Sequence, residues 1–214
     1  MRTFNIFLFV LLFAGCGLLK NKKTFEGGGS YLVQVDSALK KDIQIIHLTH
    51  STGVIFPAEY GKKVLGVNGL TKDCTFFTPD SVWVKKNELE IDRQYCTATK
   101  EYWKSILSGS KTDTSKHPQY IKDTTVALKA AAKFCANWQA NQIYYDRQYI
   151  GYITPTGDKI IVVQLIDFRD DPHKYKQIFT SVWIAGWHGW YYSNIFIVYF
   201  NTNKNKLTID KEAI

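Results

Sequence analysis

The densest run of chemically capable side chains is Asp167-Phe168-Arg169-Asp170-Asp171-Pro172-His173, which packs three carboxylates and an imidazole into seven residues. Carboxylate oxygens at that density are ligands for a hard cation such as Ca²⁺. The Gly and the distal Glu of an EF-hand loop are missing, however, and the run follows an apolar stretch. It therefore reads better as a turn in which Asp167 or Asp171 accepts bonds from nearby backbone amides. His47 and His50 stand three apart in a β-branched stretch, and a strand turns such residues to opposite faces rather than onto one metal. Gly109-Ser110-Lys111 lies in polar chain without the strand-turn-helix context that exposes a nucleophilic serine. No phosphate loop or dinucleotide fingerprint occurs, and neither a cofactor nor a metal is expected.

Thiol chemistry is better placed. Arg2 precedes an apolar stretch from Phe4 to Phe13, broken only by Asn5, and Ala14, Gly15 and Cys16 follow. A positive start, a short apolar middle and small residues before a cut describe an export signal. Extended to Leu19, the apolar segment is still shorter than the roughly 20 residues that span a bilayer. Leu12-Phe13-Ala14-Gly15-Cys16 resembles the lipobox of bacterial lipoproteins, with Phe13 where Leu is commonest. The resemblance implies that residues 1–15 are removed and that Cys16 is diacylated on its thiol and becomes the new N-terminus. It also implies a cell-envelope address, and Gly17 after the lipidated Cys points to the outer membrane, facing the periplasm. Residues 16–30 hold Lys20, Lys22, Lys23 and Gly27-Gly28-Gly29, the composition of a flexible tether lying beside acidic head groups.

Three thiols remain: Cys74, Cys96 and Cys135. In an oxidising compartment they allow one disulfide and one leftover thiol, with three pairings open. They lack the spacing of a zinc site. A second concentration of contact chemistry is aromatic: Trp183, Trp187, Trp190, Tyr191 and Tyr192, interrupted by Gly186 and Gly189. On a strand, one row of these rings would face outward, which makes Trp187, Trp190 and Tyr192 candidates for a glycan or protein contact surface. The competing reading, and the heavier one, is that both rows are packing material.

These residues need elements to hold them. Tyr31 to Val35, Ile43 to Thr49 and Gly53 to Pro57 read as short strands. Thr78-Pro79-Asp80-Ser81 is a helix start, after which Val82, Leu89, Cys96 and Trp103 recur every seven residues on one face. Ser108 to Pro118 is a polar loop and a weak boundary. Within Asp123 to Trp138, the residues Leu128, Ala131, Cys135 and Trp138 form a helical stripe that should face a sheet. Tyr145 to Thr154 and Lys159 to Phe168 read as a hairpin turned at Pro155-Thr156-Gly157-Asp158. Strands are also expected at Trp190 to Asn201 and Leu207 to Asp210. The expected fold is α+β: an antiparallel meander with a helix packed on one face, preceded by a strand and helix region, in a single domain over residues 31–214. Asp92-Arg93-Gln94-Tyr95 recurs as Asp146-Arg147-Gln148-Tyr149, but the surroundings differ and the repeat reads as coincidence.

Arg147-Gln148-Tyr149-Ile150-Gly151-Tyr152 followed by Gly157-Asp158-Lys159-Ile160-Ile161 resembles small exported proteins and lipoproteins of Bacteroidota without assigned function. Gln164 stands where those proteins tend to carry Asn, and Trp187-His188-Gly189-Trp190 where they carry Asp-Gly-Gly. The resemblance implies a lineage and a fold, and no site.

Charge narrows the partners. Lys and Arg outnumber Asp and Glu by 27 to 19, for a formal charge of +8, yet only Arg2, Arg93, Arg147 and Arg169 are arginines. Nucleic-acid readout relies on the planar Arg fork, and scattered Lys does not supply it, so no nucleic acid is expected. The expectation is a lipid-anchored envelope protein acting as a non-catalytic binding or structural module, bound to the membrane through Cys16, with an envelope protein or glycan as partner. The alternatives are an envelope hydrolase acting on glycan or peptide, and an inhibitor or immunity lipoprotein.

Overall fold

The computed structural model describes residues 30–65, 73–109, 138–186 and 189–209, together with positions 126, 129, 132, 135 and 136. In chain order the strands are β1 (Ser30–Gln34), β2 (Gln44–His47), β3 (Thr52–Ile55), β4 (Thr75–Phe77), β5 (Tyr145–Ile153), β6 (Lys159–Asp167), β7 (Val182–Gly186), β8 (Ile195–Asn201) and β9 (Lys206–Thr208). The helices are α1 (Ala58–Leu65), α2 (Ser81–Gly109), α3 (Trp138–Asn141) and α4 (Gly189–Asn194). The described positions between 126 and 136 are helical as well.

The fold is α+β. Seven strands form one sheet in the order β2-β3-β5-β6-β8-β9, with β4 also paired to β5. All neighbours are antiparallel except β3 and β5. One edge of β5 is taken along its whole length by β6, and the other is shared by β3 at 147–149 and β4 at 151–153. Strands β1 and β7 pair separately as an antiparallel ribbon.

Because side chains alternate along a strand, β5 and β6 feed two cores at once. Ile150, Tyr152, Ile160, Val162 and Ile166 pack with Tyr60 of α1, Trp183 and Ile184 of β7, and Trp190 of α4. Tyr145, Tyr149, Ile161, Val163 and Leu165 pack on the opposite face against Val84, Ile91, Tyr95 and Ala98 of α2 and Trp138 of α3. The meander and its hairpin match the sequence reading, with Gly157 at φ +90° supplying the positive φ that the turn requires.

Three readings change. The Asp80 carboxylate is the cap of α2, accepting the Trp83 N–H at 2.7 Å, while the Thr78 hydroxyl accepts the Ala58 N–H at the head of α1. The sevenfold stripe also marks the wrong face. Val82 is 71% and Leu89 66% exposed, and the buried side of α2 is Val84, Glu88, Ile91, Asp92, Tyr95, Ala98 and Thr99. Finally, the first part of Trp190 to Asn201 is α4, and only Ile195–Asn201 is strand.

The β1-β7 ribbon is held to the sheet by polar side chains. Gln148 donates to Phe179 O at 2.5 Å and Val182 O at 2.7 Å, and Gln164 donates to Ile184 O at 2.8 Å. The Tyr60 hydroxyl donates to Val33 O of β1 and accepts the Trp183 N–H of β7 at 2.7 Å, so one oxygen ties both ribbon strands to α1. Burial pushes the Tyr60 phenol well above the usual tyrosine range. Tyr60→Phe removes the hydroxyl partner of the buried Trp183 N–H and of the half-buried Val33 carbonyl, and is expected to lower unfolding stability by about 1–3 kcal/mol in urea titrations. Amide exchange should rise at Val33 and Trp183 first, because the ribbon loses its anchor before the sheet does.

Candidate functional site

Cys16, Trp187 and the side chain of Tyr192 lie outside the described residues. Trp190 is placed, and it is only 9% exposed. Its ring sits 6.0 Å from Phe168 and 5.0 Å from Tyr175 between centroids, and its indole N–H donates to Asp170 O. Trp190 therefore closes one end of the ribbon-side core, and the outward aromatic row expected there does not include it. The reason is the helix: α4 swings Trp190 inward, whereas a strand would have alternated the rings.

Two of the three carboxylates in the acidic run that begins at the end of β6, Asp167 and Asp171, make local bonds. The Asp167 carboxylate accepts the Arg169 backbone N–H at 3.0 Å and grips its guanidinium through Nε at 3.0 Å and Nη2 at 2.5 Å. Asp171 Oδ2 accepts the Lys176 N–H at 2.8 Å, which fixes the short 3-10 turn at Tyr175–Gln177. That is the amide-satisfying turn read from the sequence. His47 and His50 are both exposed, and no set of three or more metal-capable side chains converges among the described residues.

The unusual chemistry lies between α2 and the sheet. Arg147, on β5, is 1% exposed, and its Nη2 donates to both oxygens of Asp92 at 2.8 Å. Glu88, one turn before Asp92, is also buried, and its Oε2 accepts the Thr49 N–H at 3.2 Å from the β2-β3 connection. Tyr149 completes the group two residues along β5. Burial pushes the Asp92 carboxyl up, and the Arg147 guanidinium opposes that push without cancelling it. Burial pulls the Arg147 guanidinium down, but Tyr149 and Asp92 beside it outweigh this and the net direction is up. The sequence signal was present in the repeated Asp-Arg-Gln-Tyr tetrapeptides: the Asp of the first pairs with the Arg of the second. One tetrapeptide lies on a helix and the other on a strand, so this is a contact and no duplication.

On the surface, an open recess of about 330 Å³ runs between α2 and the turn into β9, lined by Arg93, Gln94, Thr97, Glu101 and Lys206 among others. A second of about 130 Å³ continues it past Tyr102, Ser105 and Ile209. Above it, Arg93 and Gln94 both bond Glu90 and hold its carboxyl down at about 2.

Cys96 of α2 and Cys135 are joined as a disulfide with Cα atoms 5.5 Å apart, and Cys74 is free. This selects one of the three pairings left open. The bridge straps the helical chain before α3 onto α2, and one turn along, the Trp138 indole donates to Asp92 O at 2.9 Å.

Breaking one member of the buried pair should be severe. Arg147→Met leaves Asp92 buried and alone, and a loss of about 3–5 kcal/mol is expected in chemical unfolding at pH 7. With the guanidinium gone, burial and the neighbouring Glu88 charge both push the carboxyl up unopposed, so its folded pKa rises further above its unfolded value. The variant should then regain stability as pH falls through that raised value, and an acid-side titration of unfolding midpoints checks the sign. Comparison with family models, curated proteins and solved structures returned no match for this chain.

Proposed function

We propose that this chain is a lipid-anchored protein of the bacterial cell envelope, its α+β body serving as a binding or structural module on a Lys-rich leash. The observation that carries the reading is the pairing of two cysteine fates: a Cys at the end of an export-type signal, and a Cys96–Cys135 bridge within the body. A stable disulfide suits an oxidising compartment, and that is where a lipobox-type signal delivers its cargo. Acylation at Cys16 would confine the module to the membrane plane and raise its effective concentration towards envelope partners. A facing surface of glycan or protein is the contact chemistry proposed, with the open recess beside α2 as a concave part of the described body.

Fractionation of cells expressing wild type and Cys16→Ser, with intact-mass measurement, tests the anchor. Wild type should sediment with membranes and carry a diacylglyceryl mass, and the Ser variant should carry none. An unacylated wild type, with the Ser variant equally membrane-bound, would overturn the reading. Alkylation without reductant should label one thiol in the body, Cys74. Replacing Cys96 and Cys135 together by Ala should cost about 4 kcal/mol of unfolding stability, the chain-entropy value for a bridge spanning 39 residues.

A further inference from the structure

The strand path β2-β3-β5-β6-β8-β9 ends in two edges, β2 and β9, and the protein treats them differently. At β9, the Leu207 N–H points away from β8 and donates to Gln94 Oε1 at 2.8 Å, while Gln94 Nε2 donates to Asn205 O at 3.0 Å. The carboxamide thus bonds on either side of Lys206 as a residue of a neighbouring strand would, and α2 lies over the strand. This edge is closed.

At β2 nothing comparable occurs among the described residues. Leu48 donates to Ser51 O at 3.0 Å across the β2-β3 turn. Alternation along the ladder then assigns Gln44 and Ile46 to bonds with β3 and turns the N–H and C=O of Ile45 and His47 outward. The Ile45 side chain is 56% exposed, and the strand carries no Lys, Asp, Glu or Pro to protect it.

The edge is also rigid. Thr49 is held by Glu88, and the Thr52 N–H by Asp146 Oδ1 at 2.8 Å. Ile46 lies so close over Gly53 that a Cβ there would stand 2.7 Å from its Cγ1. Such pre-ordering lowers the entropy cost of pairing.

We propose that β2 is a self-pairing edge, through which two copies of this chain join their sheets antiparallel about a two-fold axis at Ile46. The register is self-complementary. With Ile46 facing Ile46, Ile45 of one copy stands opposite His47 of the other, and each such pair exchanges both of its backbone hydrogen bonds. No like charges meet, and each exposed Ile45 gains cover from an imidazole. The inference does not depend on the anchor, although confinement to a membrane would strengthen the pairing.

Sedimentation of the detergent-purified full chain should show a reversible dimer. Ile45→Pro removes an outward N–H while leaving the β2-β3 ladder whole, a substitution that edge strands accept. It should weaken association by about 25-fold, about fivefold for each of the two bonds lost per dimer. Ile45→Lys provides the same test should the Pro variant misfold, with near-UV circular dichroism reporting the fold. In a Cys74→Ser background, coexpressed His47→Cys and Ile45→Cys copies with different tags should crosslink to one another, and Val82→Cys copies should not. A monomer across the accessible concentrations overturns the proposal, as does a dimer that survives both Ile45 variants or an absent 45-to-47 crosslink.

Discussion

A guanidinium buried to 1% exposure cannot stand alone, and the need of Arg147 for a carboxylate decides where α2 must lie. Asp92 meets it at 2.8 Å through both oxygens, which sets the height and rotation of a 29-residue helix on the sheet. Once Asp92 faces inward, Glu88 does too, four residues earlier on the same side, and it reaches the loop between β2 and β3. Tyr95 follows on the same stripe and stacks on Trp138 at 4.2 Å between ring centroids. Trp138 in turn donates its indole N–H to the backbone carbonyl of Asp92. Helix placement, loop placement and the seat of α3 thus descend from one charged contact.

The other face of β5 is organised by amides rather than charges. Gln148, the next residue, points the opposite way and anchors the β1-β7 ribbon through carbonyls at Phe179 and Val182. Gln164, directly opposite it on β6, anchors the same ribbon at Ile184. A third glutamine, Gln94, stands in for a missing strand at the β9 edge. In each case a side-chain amide supplies the donor or acceptor that a backbone would supply in a continuous sheet, which satisfies buried groups where two layers meet. The body consequently spends most of its buried polar side chains on its own assembly. What it can offer a partner lies at the surface: the recess beside α2 and the open β2 edge.

The cysteines divide along the same line between holding and presenting. The Cys96–Cys135 bridge secures the middle of α2 to the helical chain before α3, a region separated in sequence by the polar stretch from Ser108 to Pro118. Cys16, on the proposed reading, carries the lipid that sets where the body is displayed.

The sequence alone determined the meander. Alternating β-branched and aromatic residues at Tyr145 to Thr154 and Lys159 to Phe168, with a Gly in the turn, carry their own hydrogen-bonding logic and formed the expected hairpin. The α2 start was legible within two residues, because capping chemistry is local. The face of α2 was not legible, since apolar spacing pointed to Val82 and Leu89 while the buried stripe includes Glu88 and Asp92. A hydrophobic pattern assigns carboxylates to solvent, and only the arrival of Arg147 from 55 residues away reverses that. The same holds for Trp190, carried inward by α4, and for Cys96, whose partner is chosen by proximity in space. Local periodicity fixes elements whose bonds close within them. The direction each element turns, and which edge stays open, depend on contacts between residues far apart in the chain, and these exist only once it has folded.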